Sequence, residues 1–250
     1  MLTEERHDRI VNLLRVQGSA TVTELAHMLD TSESTIRRDL TSLDRMGRLK
    51  KVHGGATAVS EQISINEPDF DTKAALNVAE KAAIGRTAAG YIQNTDFVFI
   101  DAGTTTAALI DYIPSGVKAT FVTNGIVQAR ALIRRGLKTY ILGGLIKPGT
   151  EAVVGSDSIN NIKKYNFTKA FIGTNGINLP EGFTTPDIEE ARLKTEAIRN
   201  SFVTYILADS SKFDIMSAVT FAELKQCCII TDELKNPEYR EHTVVKEVMV

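Results

Sequence analysis

The sequence predicts a two-domain α/β protein, a small helical unit followed by a larger one built on a largely parallel sheet. Its 250 residues suit two domains of ordinary size better than one. Apolar residues recur at three- and four-residue spacing up to about residue 47, then from Phe97 onward fall into short β-rich runs separated by helical stretches. Charge divides the chain in the same place. The net charge is −2, yet Ser34 to Ala56 carries six basic and two acidic residues, a local +4 that leaves −6 for the remainder. Basic charge concentrated near one end is the electrostatic footprint of a surface that docks phosphates.

Hydrophobic residues at 43% and charged residues at 24% are close to the averages for soluble globular proteins, so the chain can bury a core unaided. No apolar run approaches the ~20 residues of a membrane span, and Met1 to Arg6 is acidic where a signal peptide is basic. A cytoplasmic protein without a membrane partner is expected. Cys227 and Cys228 are adjacent in an apolar run, which suits neither a disulfide framework nor zinc. They read as strand residues, and neither a metal nor a cofactor is expected.

The first helix runs from about Thr3 to Val16, with Ile10, Leu13 and Leu14 apolar, and stops at Gly18. Thr21 and Glu24 form a capping-box pattern that opens a short second helix through Leu29. Ser32 is a good N-cap for a third helix, Glu33 to Met46, ended by Gly47. Two helices joined by so short a turn match a helix-turn-helix. Around the third helix, Leu40 and Leu43 fall within about 40° of Ile36, while Ser34, Arg38, Thr41 and Arg45 fall near the opposite side. That free face, flanked by Thr35 and Arg37, suits DNA: a guanidinium donates two bonds to guanine O6 and N7, and small hydroxyls meet phosphates or base edges. Asp39 either orients an arginine or is solvated. Arg48 to Ala56 reads as a two-stranded wing in which Lys50, Lys51 and His53 approach phosphates and Gly54-Gly55 permits a tight turn. These elements make residues 1–57 a DNA-binding domain. Residues 58–78, with Pro68 and little periodicity, read as a linker, and 79–250 as the second domain.

In that second domain, strands are expected at 97–102, 119–124, 138–144, 169–174, 202–209 and 227–232. Asp101, Gly103, Thr104, Thr105 and Thr106 follow the first strand and open a helix, where free N–H groups and hydroxyls favour an anion. Thr123 and Asn124, Gly143 and Gly144, Thr174 and Asn175, and Asp209 to Lys212 end later runs. Ligands of open α/β sheets bind beyond the carboxyl ends of the strands, so these loops point to one pocket for an anionic polyol. Lys212 would neutralise phosphate there, and Asp101, Asn124 or Asn175 would meet sugar hydroxyls. Glu190 and Lys194 read from their spacing as a surface ion pair, and Lys147 either reaches the pocket from a hairpin or, the reading preferred, is a solvated loop lysine.

The stretch Ser32-Glu33-Ser34-Thr35-Ile36-Arg37-Arg38-Asp39-Leu40, followed by Leu43, Gly47, Leu49 and Val52-His53-Gly54-Gly55-Ala56, closely resembles the DeoR family of bacterial transcriptional regulators. The resemblance covers nearly the whole chain. It implies a winged helix-turn-helix followed by a sugar-phosphate-sensing α/β domain like that of ribose-5-phosphate isomerases. In the family an E-A-x-x-K segment borders the ligand, which adds Glu190 and Lys194 to the site. The runs DAGTTT, VTNG, LGG, GTNGI, GFTTPDIEEA and ADSSKF look most like the repressors of bacterial fructose-utilisation operons, implying fructose 1-phosphate as effector. Lactose and tagatose repressors share much of this pattern, so tagatose 6-phosphate stays open. Phe70 and Lys73 stand where the family usually has F-x-x-R.

An enzyme, a sugar-phosphate isomerase, is the alternative. Ribose-5-phosphate isomerases carry a D-G-A-D-E segment that supplies two aspartates, and here Ile172 and Asn175 stand at those positions. Neither side chain can serve as a catalytic base. The expectation is therefore a repressor rather than an enzyme, released from a double-stranded DNA operator by a phosphorylated sugar. A homo-oligomer, dimer or tetramer, would set recognition helices about 34 Å apart or a multiple of it.

Overall fold

A computed structural model describes residues 3–46, 48–58 and 67–250. Gly47, expected to end the third helix, and residues 59–66 of the expected linker fall outside the described residues. The chain divides into two compact units, Met1–Ile63 and Ser64–Val250.

In the first unit, α1 (Thr3–Gln17) precedes β1 (Ser19–Thr21), α2 (Val22–Met28), α3 (Glu33–Arg45), β2 (Leu49–Val52) and β3 (Gly55–Ala58). The capping box forms: Glu24 N donates to Thr21 Oγ1 at 3.2 Å, and Thr21 N donates to the Glu24 carboxylate at 2.8 Å. Ser32 caps α3 by accepting from Thr35 N at 3.2 Å. Ile10, Leu14, Leu25, Ile36, Leu40 and Leu43 close on one core, which fixes the basic face of α3 outward. Met28, part of the apolar pattern, is instead half exposed.

The wing has three strands where two were expected, because β3 pairs antiparallel with both β2 and β1. Three residues of β1 are too few to show alternation. The added pairing requires glycine at position 55, where a Cβ would lie 2.3 Å from the Ala20 carbonyl oxygen. Gly54 turns the hairpin at φ +81°, a conformation natural to glycine.

Asp39 is not solvated. It is buried between α3 and α1, where Arg6 donates to it at 2.6 and 3.1 Å and His7 Nε2 lies 3.1 Å away. Burial opposes its charge, but Arg6 and His7 outweigh that and hold the carboxyl below its ordinary pKa.

The second unit begins with α4 (Phe70–Ala74), α5 (Val78–Ala89), β4 (Phe97–Ile100), α6 (Thr104–Ile110), β5 (Thr120–Thr123), α7 (Ile126–Arg134) and β6 (Lys138–Ile141). It continues with β7 (Leu145–Lys147), β8 (Ala152–Val154), α8 (Ser156–Ile162), β9 (Phe167–Gly173), β10 (Gly176–Asn178), β11 (Gly182–Thr185) and α9 (Ile188–Arg199). β12 (Ser201–Leu207), β13 (Val219–Ala222), β14 (Cys228–Thr231), α10 (Tyr239–His242) and β15 (Val245–Glu247) complete it.

The expected strands all form, as members of one parallel seven-stranded sheet ordered β15-β14-β12-β9-β4-β5-β6. Its central strands are covered on both faces, which is why they read as continuous apolar runs, while the edge strand β6 is largely exposed. Val98 and Ile100 of β4 join one apolar layer with Ile84 and Leu109, and Phe99 between them joins the other with Phe167 and Ala197. Gly85 lets α5 lie against α6, since a Cβ there would come within 2.8 Å of the Ala108 backbone.

Short strands outside the parallel sheet, β10-β11-β13 and the β7-β8 hairpin, offered no alternation to read. The expected linker is also shorter than 58–78. Phe70 N donates to Gly149 O at 2.9 Å and Asn77 Nδ2 to Asp209 at 2.9 Å, so the chain from Glu67 belongs to the second unit. Among the described residues no helix is long and apolar enough to cross a membrane. Cys228 lies in β14 and Cys227 just before it, where burial pushes the Cys227 thiol up to about 12.

Asp39→Asn removes the charge that Arg6 and His7 hold, and urea unfolding at pH 7 should show a loss of about 2 kcal/mol. The folded pKa is lowered, so this contribution is complete above the ordinary Asp value near ~4 and fades as pH falls through the folded value. The stabilities of variant and native protein should therefore converge in acid.

Candidate nucleic-acid face and ligand pocket

On the first unit, Arg37, Arg38, Thr41, Arg45 and Lys51 line a shallow exposed concavity. Lys51 Nζ donates to Thr41 Oγ1 at 2.7 Å and Lys51 N to Asp44 at 2.8 Å, so the wing is bonded to α3. Arg37 pairs with Glu33 at 2.8 Å. An exposed pair of this kind contributes only about 0.3–0.5 kcal/mol and exchanges readily for a phosphate. Ser34 and Thr35 hydroxyls both lie 2.9 Å from Ser32 Oγ at the start of α3. Lys50 and His53 are exposed on the wing, but strand alternation turns Lys50 to the side opposite Lys51.

In the second unit the strand order reverses between β4 and β9, with β5 and β6 to one side and the later strands to the other. Loops diverge at such a switch point and leave a crevice. The pocket found there is lined by Gly103, Thr104 and Thr105 after β4, Thr174 and Asn175 after β9, Lys212 after β12, and Glu190 and Lys194 on α9. These are the expected ligand residues that the fold brings together.

The remaining expected residues do not line the pocket. Asn124 follows β5, on the far side of β4 from the crevice, and its Oδ1 accepts from Ala102 N at 2.9 Å. Thr123 is buried and accepts from Gly125 N. Thr106 donates to the carbonyls of Asp101 at 2.6 Å and Gly103 at 2.9 Å. Gly143 and Gly144 follow β6, two strands from the crevice, where Gly143 O accepts from Ser158 at 2.8 Å. Asp101 lies beneath the pocket floor, buried and ion-paired with Lys194. These groups shape the loops from behind.

Glu190 and Lys194 are not a surface pair. Both are buried, and each finds a different partner. Glu190 accepts from Lys147 at 2.9 Å and Thr150 at 2.8 Å, so Lys147 is not a solvated loop residue either. Lys194 donates to Asp101 and to Gly173 O at 3.0 Å. Burial opposes the Lys194 charge, but Asp101 and Glu190 prevail and its pKa lies above the ordinary lysine value.

Asp209 and Ser211, in the loop expected there, line the pocket beside Lys212, whereas sequence reasoning missed Glu67, Phe70, Lys73, Leu76, Asn77, Lys81 and Thr150, which also line it. Most belong to the segment read as a linker, and its one signal was the Phe70 and Lys73 spacing. Lys81 is buried and donates to the carbonyls of Lys73 and, at 2.6 Å, Leu76. Its pKa is lowered, chiefly by burial and further by the charges of Lys212 and Lys73, against the opposing charge of Asp209. Asp209 is buried too. Its Oδ1 accepts from Asn77 and Ser211, while Oδ2 has no hydrogen-bond partner among the described residues.

A winged helix-turn-helix and an α/β unit with a polar pocket at its switch point define a DNA-binding regulator with a sensor domain. Residues 6–62 match the DeoR-like helix-turn-helix domain and residues 76–233 the DeoR C terminal sensor domain. The chain belongs to the DeoR family of transcriptional regulators, and it is a regulator rather than an enzyme. It is 42% identical over 251 residues to the uncharacterized HTH-type transcriptional regulator FruR of Bacillus subtilis (strain 168), covering 99% of each chain. It is 32% identical over 233 residues to a lactose phosphotransferase system repressor of Staphylococcus epidermidis, covering 91% of each. Among solved structures, ribose 5-phosphate isomerase A from Methanocaldococcus jannaschii is similar over 55% of each chain, with 12% identity and a TM-score of 0.42.

Lys194→Met strands the Asp101 carboxylate in the interior and should destabilise the second unit by about 3–5 kcal/mol in urea unfolding. Replacing both partners, Asp101→Leu with Lys194→Met, should recover most of that loss, because no charge is then left buried alone.

Proposed function

We propose that this chain represses a sugar-utilisation operon and leaves its operator when a phosphorylated sugar fills the pocket, with fructose 1-phosphate favoured and tagatose 6-phosphate second. The observation that supports the effector reading is the unmet chemistry of the pocket wall. Lys81 is a buried ammonium bonded to carbonyls, and Asp209 Oδ2 is a buried acceptor lacking a donor. A sugar phosphate supplies both needs: an anion for Lys81, Lys73 and Lys212, and hydroxyls for Asp209, with Thr104 and Thr105 hydroxyls beside them. The names of the relatives, a regulator FruR and a lactose phosphotransferase system repressor, favour a sugar pathway.

DNA would be held by Ser34, Thr35, Arg37, Arg38, Thr41 and Arg45 on α3 and by Lys50, Lys51 and His53 on the wing. Small-domain affinity is modest, so a homo-oligomer, dimer or tetramer, would engage half-sites about 34 Å apart or a multiple of it. Linkage then requires the sugar to change DNA affinity by the factor by which DNA changes sugar affinity, typically about 5–150-fold.

Arg38→Ala should abolish operator binding in a gel-shift assay and leave calorimetric sugar binding unchanged. Lys212→Ala should bind operator normally but need about tenfold more sugar phosphate for release, the equivalent of about 1.4 kcal/mol. Loss of both functions in a folded Lys212→Ala protein, or turnover of the sugar, would contradict this division of labour.

A further inference from the structure

Glu67 is the first described residue of the second unit, and its carboxylate sits inside the pocket's cation cluster. Lys73 Nζ lies 2.8 Å from Oε1, Lys147 Nζ 3.0 Å from Oε2, and Asn175 Nδ2 3.2 Å from Oε1. These donors come from α4, β7 and the loop after β9, so one side chain ties the start of the unit to three separate segments. Only 9% of the Glu67 side chain is exposed. Burial opposes the charge, but Lys73 and Lys147 overcome it and bring the pKa down to about 2.

The cations around Glu67 do not depend on it equally. Lys147 also contacts Glu190 at 2.9 Å and Asp187 at 3.1 Å, so it keeps two carboxylates if Glu67 leaves. Among the described residues, Lys73 has Glu67 as its ion-pair partner. Lys73 is also electrostatically coupled to Lys81, whose lowered pKa reflects burial and then the nearby charges of Lys212 and Lys73. An anion entering among these lysines therefore competes with Glu67 for Lys73.

We infer that Glu67 is a tethered internal competitor: the phosphoryl group of the effector takes Lys73 from it, and the carboxylate, left with Lys147 and Asn175, holds more weakly the chain that leads back to the DNA-binding unit. This rests on the effector reading of the pocket. A dianion attracts an ammonium more strongly than a carboxylate does, whereas the tether keeps Glu67 at high local concentration. The site is thus open for only a fraction of the time, which weakens the apparent affinity for ligand by that fraction. Helix α4 need not unwind during the exchange, because Asp69 caps it independently by accepting from Thr72 N at 2.8 Å. The intervening Pro68 has no N–H to break.

The test is calorimetric titration of the native chain and Glu67→Gln with fructose 1-phosphate and with inorganic phosphate, alongside amide exchange at Phe70, whose N–H is bonded to Gly149 O. The expected result is a Kd roughly tenfold lower in the variant, with phosphate binding speeding exchange at Phe70 in the native chain. A Kd equal or higher in Glu67→Gln overturns the inference, and so does unchanged or slower exchange at Phe70 in the native chain. The exchange measurement decides alone if the variant does not fold. Tighter inorganic phosphate binding by the variant, with fructose 1-phosphate bound by neither protein, would sink the sugar reading and leave Glu67 as the competitor. Binding of neither probe to either protein would remove both.

Discussion

The buried pair between Asp101 and Lys194 is the constraint on which the pocket depends. It joins the carboxyl end of β4 to α9, and both partners also engage β9, through Gly173 N to Asp101 at 3.1 Å and Lys194 to Gly173 O at 3.0 Å. Two charges taken out of water are tolerable only when their remaining bonding capacity is met. The network therefore leaves little freedom to the Gly103–Thr105 and Thr174–Asn175 loops that it anchors. Asn124, Thr106 and Gln128 complete the support by bonding the backbone of the loop after β4.

The same arrangement separates this pocket from an isomerase site. At the positions of the isomerase aspartates, Ile172 is fully buried in the sheet, and Asn175 is neutral and bonded to Glu67 and Thr185. Of the carboxylates near the pocket, Asp101 and Glu190 are engaged by lysines. What the wall offers a visitor is binding chemistry, namely the lysine cluster and the open oxygen of Asp209.

The first unit solves a related problem with different residues. Its recognition helix must expose arginines while its own orientation stays fixed, and Asp39 does the fixing by holding α1 through Arg6 and His7. The apolar seam of Ile36, Leu40 and Leu43 and this polar clamp fix two neighbouring sides of α3. The remaining side is left to Arg38, Thr41 and Arg45, with Lys51 of the wing bonded against it.

Sequence alone determined the two-domain division, the helix-turn-helix with both its caps, six of the seven strands of the central sheet and the loops at their carboxyl ends. All of these rest on local signals: periodicity, cap residues and apolar runs. Charge partnerships were not legible, because they join residues far apart in the chain. Glu190 and Lys194 stand four apart and look like each other's partners, yet the fold turns one toward Lys147 and the other toward Asp101. The pocket wall supplied by Glu67 to Asn77 was equally hidden, since a five-residue helix and one proline carry no periodic signal. Only the tertiary structure decided which loops face the crevice, because that depends on strand order. The reversal between β4 and β9 admits the loops after them and leaves Asn124, Gly143 and Gly144 outside.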